Sequence, residues 1–204
     1  MSIIFNEQFE KPKGWMGKLA GKIMAWDNRK INRWTIDQLD IQNGDLILEI
    51  GYGPGYCIYS ICKEKMNVNV HGIDISNTMF ETASKKNERF IEEGKVCLYV
   101  KDISQYHPPH KYDKIFSVNN YPLWEKRKKS LGAMYEMLNV GGKAAITVQP
   151  REEDADAEKT HRLAKVISDE LQSAGFTHIR VSFKKVRPVL TVCVTAMKTE
   201  EKKE

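Results

Sequence analysis

Three acids and three glycines stand at spacings suited to meeting a nucleotide-type ligand. Glu49 comes just before a turn that carries Gly51, Gly53 and Gly55. Alternating glycines let a chain adopt positive φ and bring main-chain N–H groups close to a ligand, where any Cβ would obstruct. Asp74 follows the first glycine by about 20 residues, the spacing at which an acid in Rossmann-like folds accepts hydrogen bonds from ribose hydroxyls. Asp102 is a third acid placed at the end of an apolar run, and Asn119, Asn120, Tyr121 and Trp124 form a polar and aromatic group after a fourth. Among the histidines, His107, His110 and His161 are candidates for a general base but read as surface residues, and His71 reads as structural. No His, Cys and carboxylate set has metal-ligand spacing, so no metal is expected.

These residues need strands that end together. Leu46, Ile47, Leu48 and Ile50 form a short apolar run that suits a central parallel strand covered on both faces. Helix is predicted from Tyr56 to Lys65, strand from Val68 to Asp74, and helix from Asn77 to Glu92 with Ser76 as its cap. Strands follow at Lys95 to Lys101 and Tyr112 to Val118, separated by a polar loop from Gln105 to Lys111. A helix from about Leu123 to Asn139 is expected to stop at Gly141-Gly142 as a C-cap turn. After a fifth strand and a charged loop, a helix from Lys159 to Ala174 and strands at Thr177 to Phe183 and Val189 to Met197 close the chain. The alternation implies an α/β, doubly wound and mostly parallel seven-stranded sheet.

The pattern E-x-G-x-G-x-G from Glu49 to Gly55, with Tyr56 where a dinucleotide-binding turn wants its third glycine, resembles the first motif of the class I S-adenosylmethionine-dependent methyltransferases. The segment LNVGGKAAITV resembles their double glycine and fifth strand, and the closing hairpin resembles their antiparallel last strand. The resemblance covers roughly residues 45–198 and implies a Rossmann-like methyltransferase domain with S-adenosyl-L-methionine as cofactor. It further implies that Glu49, Gly51, Gly53 and Gly55 face the amino-acid part and ribose, Asp74 and Ile75 the ribose and adenine, and Asp102 and Ile103 the adenine, with Asn119 completing the cofactor set. Asn120, Tyr121, Trp124 and Trp26 are the expected acceptor-side residues. Family members that methylate exocyclic or glutamine nitrogens carry Asn-Pro-Pro-Tyr or Asp-Pro-Pro-Tyr after the fourth strand, whereas this chain has Asn-Asn-Tyr-Pro. No residue is assigned as catalytic, because the chemistry needs positioning more than a catalytic group.

The chain has 204 residues, a formal charge of +5 and four cysteines. That length serves one domain with a substantial core, and the cysteines, lacking a C-x-x-C pair, read as reduced thiols. Residues 1–44 are expected to form a helical cap of the domain formed by 45–198, with 199–204 a frayed tail. In the cap, Trp15, Leu19 and Ile23 recur at helical spacing, and the segment is expected to lie over the carboxyl edge of the sheet. The amino terminus lacks an apolar core behind a basic start, and no stretch could span a bilayer, so a cytoplasmic location is expected. Small-molecule methylation is the leading reading. A lipid or quinone-like acceptor delivered at an anionic membrane by the apolar face and lysines of Trp15 to Trp26 is a sharper form of it. RNA or protein methylation has only the net charge and Lys126 to Lys129 in its favour, and that run lacks aromatics for base stacking. A non-catalytic cofactor-binding homologue stays open. Oligomeric state is not encoded in any motif.

Overall fold

A computed structural model describes residues 28–65, 67–152 and 154–200. The expected helix around Trp15, the acceptor-side Trp26 and the end of the tail lie outside those residues. From residue 28 the chain runs helix α1 (28–39), β1 (Leu46–Ile50), α2 (Tyr56–Glu64), β2 (Asn69–Asp74), α3 (Asn77–Glu92), β3 (Val96–Val100), β4 (Tyr112–Val118), α4 (Arg127–Met137), β5 (Leu138–Val148), α5 (Ala157–Ser173), β6 (Thr177–Lys185) and β7 (Leu190–Met197). The strands form one sheet in the order β3-β2-β1-β4-β5-β7-β6. β1 to β5 are parallel, and β7 enters antiparallel between β5 and β6.

Alternation along each strand divides the core between two faces. Leu48, Ile50, Ile73, Ile115, Ile146 and Val194 pack under α4 and α5, where Leu131, Met134, Ile167 and Leu171 are buried. Ile47, Val70, Phe116, Ala145 and Cys193 face the other way, against Trp34 and Leu39 of α1, Ile58 and Ile61 of α2, and Ala83 and Phe90 of α3. Helix α1 therefore lies on a face of the sheet and not across its carboxyl edge. The buried Thr35 hydroxyl bonds the Thr147 hydroxyl near the end of β5 at 2.8 Å, and Asn28, bonded by Arg151 beyond β5, stands at the edge.

Two sequence expectations are corrected here. Helix α4 starts at Arg127, because Tyr121–Leu123 form a separate 3-10 turn with Pro122 near its start. It also ends before the double glycine. Leu138 is already extended (φ −87°, ψ 138°) and paired with Tyr112, so burial of Leu138 in the sheet ends the helix. Gly141 and Gly142 then fall in a bulge of β5, between the Tyr112–Leu138 and Lys114–Lys143 pairs. A Cβ on Gly142 would stand 2.8 Å from the Asn139 carbonyl.

The connection from β3 to β4 crosses two strands with only the turn Ile103–Gln105 in it. A strap thus replaces a crossover helix, and aromatic and imidazole groups dock it. Tyr106 bonds the Tyr112 hydroxyl at 2.9 Å, and His110 Nε2 lies 3.1 Å from that hydroxyl and 3.2 Å from His71 Nδ1. His71 Nδ1 is in turn 3.0 Å from Tyr112. His110 is accordingly half-buried in a polar cluster, not a free loop residue.

Burial, and then the charge of His110, hold the His71 imidazole down at about 4 against an ordinary 6.5. Between those values the unfolded chain takes up a proton that the folded chain refuses, so this stabilisation is complete above about pH 6.5 and is lost as pH falls toward 4. Thermal melts of the wild type and His71→Gln across pH 4–7 should show the wild type losing stability relative to the variant as pH falls from 6.5 toward 4; a difference that does not change with pH would place the acid sensitivity elsewhere.

Candidate functional site

The parallel strands β1 to β5 all end at one edge, and the acids and glycines meet there. Asp74, the last residue of β2, accepts from Gly53 N–H at 2.9 Å through Oδ2 and from Ser76 N–H at 3.0 Å through Oδ1. One carboxylate thus ties the glycine turn to the end of the neighbouring strand, and each oxygen keeps a second lone pair. Ile75 beside it is 74% exposed, an uncommon state for a large apolar side chain next to an ordered acid.

The three glycines do different work. A Cβ on Gly51 (φ +74°) would lie 2.3 Å from Asn120 Cγ, so the loop after β4 closes directly over the turn. On Gly55 (φ +76°) it would meet Asn87 Nδ2 at 2.6 Å and Ala83 Cβ at 2.9 Å, which makes this glycine the seat of α3 against the start of α2. Asn87 donates back to the Gly55 carbonyl at 3.2 Å. A Cβ on Gly53 (φ +49°) would meet nothing within 4 Å, and this is the open face of the turn. Tyr52 between them is buried and bonds the Tyr99 carbonyl at 3.4 Å.

Glu49 sits under the turn at 3% exposure. Burial raises its carboxyl to about 8; a bond from the Cys57 thiol opposes the rise, the charge of Asp74 adds to it, and a backbone bond at Ile58 opposes it. Its Oε2 has no hydrogen-bond partner among the described residues. A buried acceptor left in that state costs about 1–3 kcal/mol, which a ligand cation or donor would relieve. Ser117 on β4, paired with Ile50, carries a second such oxygen.

On the far side, Asn119 takes a left-handed conformation (φ 53°), donates to the Thr147 carbonyl and accepts from Gln149 N–H at 2.8 Å. It fastens the ends of β4 and β5 together. Asn120 Oδ1 accepts from Trp124 Nε1 at 2.6 Å, which fixes the amide over Gly51. Tyr121 points away from this group: its buried hydroxyl donates to Glu170 of α5 at 2.5 Å. Asp102 is exposed and accepts from Ser104 N–H at 2.7 Å, while the Ile103 side chain is buried in the core under the strap. The structure therefore brings Glu49, Gly51, Gly53, Asp74, Ile75 and Asn120 to one edge, with Gly55, Asn119 and Trp124 bracing them.

Two residues at this edge were not singled out from the sequence. The Gln149 amide holds the tip of the β6–β7 hairpin, donating to Val186 O at 2.8 Å and Val189 O at 2.9 Å. Arg151 follows two residues later. Both stand just past the fifth strand, and that position was the available signal.

A family described as a methyltransferase domain matches residues 47–142. The chain is 43% identical over 181 residues to an uncharacterized methyltransferase, YdaC, of Bacillus subtilis, covering 88% of this chain and 98% of that protein. A malonyl-[acyl-carrier protein] O-methyltransferase of Ilyobacter polytropus is 33% identical over 101 residues, covering 50% of this chain and 37% of its own length. Among solved structures, phosphoethanolamine N-methyltransferase 2 of Haemonchus contortus, in complex with phosphomonomethylethanolamine and S-adenosylhomocysteine, superposes with a TM-score of 0.66 at 19% identity, covering 83% of this chain and 52% of that one.

Glu49 makes ligand-free stability depend on pH. Its carboxyl is raised from 4.5 to about 8, so the folded chain holds a proton that the unfolded chain has lost, and stability falls as pH rises through this window by up to about 1.4 kcal/mol per unit. Melting temperatures should show the fall above about pH 6.5, where His71 no longer titrates, and from pH 5 to 8 the wild type should lose stability relative to Glu49→Gln. Gly55→Ala should lower stability at every pH by about 1–3 kcal/mol through overpacking against α3; denaturant titration checks this, and a neutral result would mean that α3 yields.

Proposed function

Because the chain belongs to the class I S-adenosylmethionine-dependent methyltransferases, we propose that its glycine turn binds S-adenosyl-L-methionine and that it methylates a small-molecule acceptor beside Asn120. The observation that carries this reading is the buried Glu49 oxygen without a partner among the described residues, lying under a turn whose Gly53 N–H is held by Asp74 and whose Gly53 face is open. A buried carboxyl oxygen with no donor among the described residues, at the foot of a ligand-facing turn, suits the ammonium end of an amino acid. Glu49 and Gly53 would hold the amino-acid part, Asp74 the ribose hydroxyls, and Ile75 with Asp102 the adenine; Gly51 admits Asn120, and Gly55 and Ile103 support from behind.

The sulfonium of the cofactor supplies an electrophilic methyl carbon together with its leaving group. The work left to the chain is placement, which is worth roughly 7–11 kcal/mol of barrier when two reactants are held in line. Asn120 is fixed by Trp124, and Asn119 by the end of β5, so the loop after β4 is a preformed wall that keeps water from one side of the reacting atoms. Glu49 loses its proton when a cation approaches it, which strengthens cofactor binding as pH rises toward 8.

A small acceptor is favoured over RNA by the fate of the basic run. Arg127 pairs with Glu170 at 3.4 Å, and Lys128 and Lys129 lie exposed on α4, a helix packed on the sheet face. The names of the relatives add a carrier-bound malonyl group and phosphoethanolamine as acceptors of those proteins.

Calorimetry with S-adenosylmethionine and S-adenosylhomocysteine should give saturable binding that Asp74→Ala weakens by about 1–3 kcal/mol. Gly53→Val should abolish binding in a protein that still melts cooperatively. Labelled methyl transfer into fractions of a cell extract should mark the metabolite fraction; label confined to RNA or protein would overturn the small-molecule reading, and full cofactor affinity in Gly53→Val would remove the turn from the site.

A further inference from the structure

Arg151 is a cation on the acceptor side of this edge whose charge no carboxylate answers among the described residues. Its guanidinium bonds the neutral side-chain oxygen of Asn28, and among the described residues no carboxylate lies within ion-pair distance of it. Glu152 is its neighbour in sequence, yet that carboxylate accepts from the Arg151 main-chain N–H and turns to Lys159 at 3.7 Å. Asp154 is likewise held by Lys159, at 2.8 Å. Glu152 and Asp154 are therefore spent on Lys159 of α5, while burial lowers the affinity of the arginine for its proton.

Its position follows from the bonds that lead to it. Gln149 N–H is held by Asn119, next to Asn120 over Gly51, and Arg151 comes two residues on. Asn28, its partner, is at the edge-facing end of α1. Arg187 lies on the hairpin tip that the Gln149 amide grips, and its own carbonyl is 3.4 Å from that amide. This rim thus carries two arginines, and Glu152 and Asp154 are paired with Lys159.

We infer that Arg151 is a specificity-determining residue and that the methyl acceptor carries an anionic group, a carboxylate or a phosphate, which the guanidinium binds. The inference deepens the proposed function and rests on it for the identity of the bound molecule as an acceptor. A planar guanidinium offers paired donors matched to carboxylate and phosphate oxygens. Asn28 takes one donor of that fork, and among the described residues no carboxylate takes the others. With an anion in place, Arg151 would fix one end of the acceptor and leave its nucleophilic atom to the wall formed by Asn120 and Trp124. Arg151 itself takes no part in methyl transfer.

The test titrates the protein, with and without S-adenosylhomocysteine, against malonate and against inorganic phosphate, followed by NMR shifts or calorimetry. Malonamide serves as the neutral control, and Lys165→Gln, on the outer face of α5, as the control variant. The expected result is saturable binding of at least one anion, weakened about tenfold or more in Arg151→Gln, with S-adenosylhomocysteine affinity and the Lys165→Gln titration unchanged. Preference for malonate or for phosphate identifies the anion type. Equal anion affinity in Arg151→Gln, an equal loss in Lys165→Gln, or no saturable binding of either anion overturns the inference. Failure to bind S-adenosylhomocysteine would instead count against the proposed function, since the ligand-free titration still reports on Arg151.

Discussion

The carboxylate of Asp74 holds the site together. It ends β2, yet both its oxygens are spent on main-chain N–H groups, one in the glycine turn after β1 and one at the approach to α3. Charge-assisted bonds of this kind are shorter and stronger than neutral ones. They force the turn to stand at a fixed height above the sheet, and everything else is measured from it. Gly51 then lies where Asn120 closes, Gly55 where α3 seats, and Gly53 faces outward with free space before it. Lose the bridge and the three glycines become an ordinary flexible connection between a strand and a helix.

The strap between β3 and β4 is the second constraint. A helix in that position would cover the sheet with aliphatic side chains. Here Tyr106 and His110 come down onto His71 and Tyr112, and the apolar contribution is left mainly to Ile103. Polar docking of a connection is directional, since each hydrogen bond has one productive geometry. The strap gives up some burial and gains a defined position. Because Asp102 begins it, the same cluster that closes the core also sets where the third acid stands.

Much of this was legible because strand ends are legible. Runs of Ile, Leu and Val followed by glycine or an acid mark where a parallel strand stops, and Glu49 and Asp74 were read as strand-end acids on that basis, with the spacing from Gly51 added for Asp74. What escaped has a common cause: the deciding partner lies far away in the chain. The double glycine carries a helix-ending signal, but pairing of Leu138 with Tyr112 had already ended the helix. His110 looks like a loop residue until His71, 39 positions earlier, is folded against it. Tyr121 follows a strand as a site residue would, yet its hydroxyl is claimed by Glu170. Arg151 was hidden in a charged loop, where nothing local separates an answered charge from an unanswered one.

The grip of Gln149 on the β6–β7 hairpin bears on how such a protein could change over generations. The side-chain amide takes hold of main-chain carbonyls at Val186 and Val189, and carbonyls are common to every residue type. Substitutions in the hairpin tip therefore alter what it displays without loosening what anchors it. A rim built that way can be rewritten residue by residue, while the glycine turn stays as it is. Change at the rim above an unchanged glycine turn becomes a short evolutionary path.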